Sequence, residues 1–194
     1  MTDAPHMTDR THARPAEPSR VDWRAPSRAD HPARAAALRS YDAVIRMDKA
    51  AWLANFADDG WIEDPVGPSV FDPAGNGHHG ADGRAHFWDI TIGTMSRFVF
   101  EIHDSFVAGD ECANVGVIHT TSPNGWTAST AGVFVYRVDT AGKIVSLRAY
   151  WEMDRVVATA KGPTAGAAGA AGAAGAAGAA GAAGAAGAAG AAGE

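Results

Sequence analysis

Between Arg97 and Asp154 the apolar residues stop recurring every three or four positions and instead fill four long runs rich in β-branched and aromatic side chains. Three turn signals separate the runs: Gly109-Asp110, Pro123-Asn124-Gly125 and Asp139-Thr140-Ala141-Gly142. Glycine and asparagine tolerate the positive φ of tight reversals, so consecutive runs join as hairpins. The predicted strands cover 97–108, 111–121, 126–138 and 143–154 and form an antiparallel meander. Strands of this length twist and coil, and the open end of a coiled sheet becomes a pocket rather than a filled core.

The segment before the strands supplies what covers the sheet. Pro32 opens a run, 33–47, in which Leu38, Tyr41 and Ile45 recur at helical spacing, which turns Tyr41 inward. Asp48 is a cap for a second, shorter helix with Trp52, Leu53 and Phe56 on one face, ended by Asp58-Asp59-Gly60. Trp61 to Asp64 reads as short and extended, because Pro65 biases the preceding residue away from helix and lacks a ladder donor. After a loop rich in Gly, Pro and His, Asp82 is expected to cap a third helix that buries Phe87, Trp88, Thr91, Ile92 and Met95. Three N-terminal helices packed in a curved antiparallel sheet make an α+β domain.

The flanks are poorer in core residues. Residues 1–32 hold half of the chain's ten prolines and one aromatic, Trp23, and are expected to be a disordered arm. Its arginines alternate with acids, the pattern of a solvated segment rather than of a nucleic-acid-binding arm. Residues 158–194 are a low-complexity tail, a Gly-Ala-Ala repeat from Thr164 onward, in which each glycine costs a helix about 1 kcal/mol relative to alanine. Collagen is excluded because the positions between glycines carry no proline. One folded domain, 33–157, remains.

Charge and cysteine content narrow the function classes. A formal net charge of −6 with no basic cluster argues against a nucleic-acid partner. Cys112 is alone, so no disulfide can form within the chain, which suits a reducing cytoplasm. No apolar run approaches the roughly 20 residues of a membrane span, and the polar start lacks the hydrophobic region of a signal peptide. His78, His79 and His86, with Asp72 and Asp82 nearby, fit no zinc spacing, so no metal is expected.

Chemistry is concentrated in two motifs and one upstream phenol. Glu63-Asp64-Pro65-Val66-Gly67 places a carboxylate at a strand end, and Arg148-Ala149-Tyr150-Trp151 ends the last strand. With Tyr41, these are parts that can move a proton beside a carbonyl. Strand alternation puts Leu147, Ala149 and Trp151 on one face, and Gly132, Phe134 and Tyr136 on one face. The same parity sets Phe98, Phe100 and Ile102 against Val99, Glu101 and His103, with Glu101 and His103 outward; His119 is left open between cavity and surface.

Together with Phe56-Ala57-Asp58-Asp59, His79-Gly80 and the run from Gly142 to Trp151, these residues give a chain that resembles the ketosteroid isomerase and SnoaL-like branch of the nuclear transport factor 2 superfamily. The resemblance spans nearly all of 33–157 and implies that superfamily's cone. It further implies a steroid Δ-isomerase-like activity, with Asp64 as the proton shuttle and Tyr41 as donor to the enolate oxygen. Trp151, Leu147, Tyr136 and Phe134 would contact an apolar ring ketone, and no cofactor is implied. Ketosteroid isomerases are a worked case of an oxyanion hole that pairs a tyrosine with a protonated aspartic acid. The acid's position falls on Phe134 here, and phenylalanine cannot donate. Two alternatives follow: a SnoaL-like dehydratase or cyclase using Asp64 with His119, and a non-catalytic ligand-binding or dimerising module. An exposed sheet face including Val133 and Val135 is expected to make a homodimer.

Overall fold

The computed structural model describes residues 17–163. A curved seven-stranded sheet runs in the order β1-β4-β5-β6-β7-β2-β3. Its strands are β1 (Arg20–Trp23), β2 (Phe56–Glu63), β3 (His78–His79), β4 (Arg97–Ala108), β5 (Glu111–Thr121), β6 (Thr127–Val138) and β7 (Ile144–Tyr150). Helices α1 (Pro32–Ile45), α2 (Lys49–Ala54) and α3 (Gly80–Ile90) lie against the concave face, and α4 (Met153–Thr159) follows the last strand. The α+β cone expected from the sequence is the fold observed.

The meander matches the expected boundaries closely because hairpin partners are neighbours in sequence. β4, β5, β6 and β7 pair antiparallel in order. Curvature enters at a register shift in β4 between Ile102 and Asp104. Gly116 sits opposite, where a Cβ would collide with the Glu101 carbonyl. A glycine is therefore needed where the bulged strand bends across its partner.

Helix α1 carries its own signals: Pro32 in the first turn, and the His31 side chain accepting from the Ala33 amide. Ala33, Ala36, Ala37 and Ala43 are all buried, and these small side chains let α1 approach β4 and β6 closely. Asp48 caps α2 as expected, accepting from the Ala51 amide.

Several expectations are corrected. Residues 17–32 are not a disordered arm throughout, since Arg20–Trp23 pairs parallel with β4 as an edge strand; residues 1–16 lie outside the described residues. Phe56 does not belong to the second helix but begins β2, which runs parallel to β7 with a register shift between Phe56 and Trp61. The third helix starts at Gly80, two residues before Asp82, and ends at Ile90, followed by a 3-10 turn at Ile92–Thr94. The last strand stops at Tyr150, and 153–159 is helical, packed on β6. The repeat from Thr164 onward lies outside the described residues.

Candidate active site

Helices and sheet enclose a cavity of about 150 Å³ whose wall is largely apolar. Phe87, Ile92, Phe98, Phe100 and Ile118 supply much of its surface, and Met153 and Val156 reach it from α4. Tyr41, Asp64, Phe134, Tyr136, Leu147 and Trp151 all line this one cavity. They come from α1, the end of β2, β6, β7 and the residue just after β7, segments far apart in sequence that the closed cone brings together.

Asp64 sits where β2 ends, before a cis peptide bond to Pro65. The Trp151 indole Nε1 donates to Asp64 Oδ1 at 2.5 Å. Burial pushes the Asp64 carboxyl up to about 6, against the smaller lowering effect of that indole. Removing water from a carboxylate penalises its charged form, so this group is a stronger base than an exposed aspartate and is still ionised at neutral pH.

Tyr41 is 1% exposed and stacked on Phe100 at 4.5 Å between ring centroids, with Tyr136 edge-on at 5.8 Å. Its hydroxyl accepts from Asn114 Nδ2 at 3.0 Å. Burial raises both phenols well above their ordinary range, so both keep their protons and remain donors.

Phe134 is buried and faces Asn114 across the β5–β6 pair. Asn114, 0% exposed, and Ser40, whose Oγ accepts from Trp52 Nε1 at 3.0 Å, are site residues that the sequence reading missed. A signal existed for the first: alternation along β5 puts Asn114 on the same face as Ile118, and a polar amide on an inward face needs a partner. Phe71, in the loop after Pro65, also borders the cavity, its ring 6.5 Å from Trp151.

The histidines stand elsewhere. His119 Nδ1 pairs with Ser129 Oγ at 2.9 Å, and its Nε2 lies 3.5 Å from Glu101 on the outer face of the sheet. Its neighbours Ile118 and Thr120 line the cavity instead, so the pairing of Asp64 with His119 considered from sequence is not built by the fold. His103 is also outside, hydrogen-bonded to Glu101 at 2.8 Å, as parity predicted. His78 packs on Phe87 away from the cavity, and burial lowers its pKa.

A SnoaL-like domain is matched over residues 37–147, more than half of the chain. The chain belongs to the SnoaL-like family. Among solved structures it is 40% identical to a Δ5-3-ketosteroid isomerase from Mycobacterium sp., covering 68% of this chain and 98% of that one, with a TM-score of 0.62. RV0760c from Mycobacterium tuberculosis is 35% identical over 70% of this chain and 98% of its own, with a TM-score of 0.62. RV0760c has also been solved in complex with estradiol-17beta-hemisuccinate, at 36% identity, 68% and 99% coverage and a TM-score of 0.61. No functionally curated protein matches the chain.

Proposed function

We propose that this SnoaL-like protein is an isomerase that shifts a double bond in an apolar ring ketone, a steroid Δ-isomerase-like reaction. Asp64 takes a proton from the carbon beside the carbonyl, and the electrons of that C–H bond move onto the oxygen as an enolate. Tyr41 donates to that oxygen as charge develops. The protonated Asp64 then returns the proton further along the conjugated system, so the double bond moves into conjugation and the enzyme is restored. The balance is closed by one proton, with no cofactor.

The observation that carries this reading is that a carboxyl at about 6 and two protonated phenols line one apolar cavity. An apolar wall favours a flat ring-containing ligand over a charged or sugar-like one. The relatives add support, since one is a ketosteroid isomerase and another was solved with a steroid ester.

Phe134 favours a second reading, a binding module for an apolar small molecule. Loss of one oxyanion donor typically costs about 10²–10³ in rate. The test is turnover of a Δ5-3-ketosteroid by the purified protein, followed as the conjugated enone, with Asp64→Asn and Tyr41→Phe. Turnover abolished by Asp64→Asn supports the isomerase. Steroid binding without turnover in the wild type overturns it in favour of the binding module.

A homodimer is part of the proposal. Val115, Val117, Ala131, Val133 and Tyr150 border an apolar groove on the outer face of the sheet, and Tyr150 is 43% exposed. A second copy packed sheet to sheet would cover it. Light scattering that gives the mass of one chain at micromolar concentration would overturn this part.

A further inference from the structure

A buried hydrogen-bond chain ends on Tyr41, and it begins at a group that can only donate. Arg34, 3% exposed, gives Nε to Ser105 Oγ at 3.0 Å and Nη2 to the Ser105 carbonyl at 3.2 Å. Ser105 Oγ lies 3.5 Å from Cys112 Sγ, the Cys112 thiol donates to Asn114 Oδ1 at 3.4 Å, and Asn114 Nδ2 donates to the Tyr41 hydroxyl at 3.0 Å. Tyr136 stands edge-on to Tyr41 with ring centroids 5.8 Å apart and borders the same cavity.

The direction of the chain is set at its start. A guanidinium has no acceptor, so Ser105 Oγ accepts from Arg34 and has its own proton free for the Cys112 sulfur. Burial pushes the Cys112 thiol up, which keeps its proton available for Asn114 Oδ1. With Oδ1 toward Cys112, the amide presents its NH₂ to Tyr41.

Counting protons gives the consequence. The Tyr41 oxygen receives a hydrogen bond from Asn114, so the Tyr41 proton is not spent on that amide. Both phenols border the cavity. Were Asn114 turned the other way, its carbonyl would consume the Tyr41 proton.

We propose that Asn114 is a positioning residue, held by the Arg34–Ser105–Cys112 chain, which makes the Tyr41–Tyr136 pair a net donor to a ligand carbonyl or enolate oxygen. Tyr136 shares that donor role and compensates for the phenylalanine at 134. This rests on the reading that the cavity holds a ring ketone, but its test does not need turnover.

The probe is a conjugated Δ4-3-ketosteroid, which is already the product type, and the readout is the infrared carbonyl stretch of the bound molecule. In the wild type the stretch should lie below its value in an apolar solvent. In Asn114→Leu the lowering should shrink and affinity fall about three- to tenfold, the worth of one hydrogen bond. In Asn114→Asp at mildly alkaline pH it should shrink further, because a carboxylate accepts the Tyr41 proton. Cys112→Ser keeps the donor order and should resemble the wild type. A residue that only supports the fold would change affinity without moving the carbonyl stretch of the bound fraction.

An unshifted carbonyl in the wild type, or one equally shifted in both Asn114 variants, overturns the proposal, as does failure of the wild type to bind the probe. If Asn114→Asp does not fold, Asn114→Leu and Cys112→Ser carry the comparison. Absent turnover of the Δ5 isomer with this pattern intact would sink the isomerase reading alone; turnover with an indifferent carbonyl stretch would sink the positioning role alone.

Discussion

Trp151 Nε1 and Asp64 Oδ1 are joined at 2.5 Å, a link between the residue just past the end of β7 and the residue just past the end of β2. The contact exists because β2 pairs parallel with β7, so both strands end at the same rim of the cavity. It also fixes which carboxyl oxygen stays free for a substrate proton. One oxygen is held by the indole and the other is left to react.

This link predicts the pH profile. A base must be ionised to accept a proton, so kcat/KM should rise with pH through about 6, the raised value of Asp64, and then level off. Trp151→Phe removes a hydrogen bond that lowers that value, so the midpoint should move upward and activity should recover at higher pH. A profile unchanged in Trp151→Phe would show that the indole does not tune the base.

The same shift bears on stability. Asp64 is raised in the folded state, so folding favours its protonated form. That contribution is fully present below the ordinary aspartate pKa and is lost as pH rises through about 6. Asp64→Asn, which never ionises, should be more stable than the wild type by about 1–3 kcal/mol at neutral pH, with the difference vanishing in acid. Urea melts at two pH values read it directly.

Phe71 borders the cavity beside Trp151, belongs to the loop after Pro65 and carries no group that could take part in proton transfer. Removing its ring takes apolar contact from a bound ligand without touching the base. Phe71→Ala should raise KM about tenfold and leave kcat within about twofold, a loss of uniform binding. A fall in kcat with constant KM would mean that the loop orders the reacting atoms instead.

At Gly116 the limit is steric. A Cβ there meets the Glu101 carbonyl across the bulge that bends β4, so Gly116→Ala must push the two strands apart. The expected loss is about 1–3 kcal/mol, seen as a lower denaturant midpoint. Because the bend shapes the cavity, steroid affinity should fall with it.

What the chain determines locally was readable before any tertiary information. The bounds of β4 and β5, the Asp48 cap, the inward face of Tyr41 and the outward face of His103 follow from short-range turn chemistry and from the 3.6- and 2-residue periods, which depend only on neighbours in sequence. Tertiary structure decided the rest. The parallel pairings of β1 with β4 and of β2 with β7 join segments dozens of residues apart, and no local pattern encodes such a register. The side of the sheet taken by His119, and the meeting of Arg34, Ser105, Cys112 and Asn114 behind Tyr41, likewise arise only when the curved sheet closes over α1. Buried polar groups must then find partners across the fold because water no longer serves them.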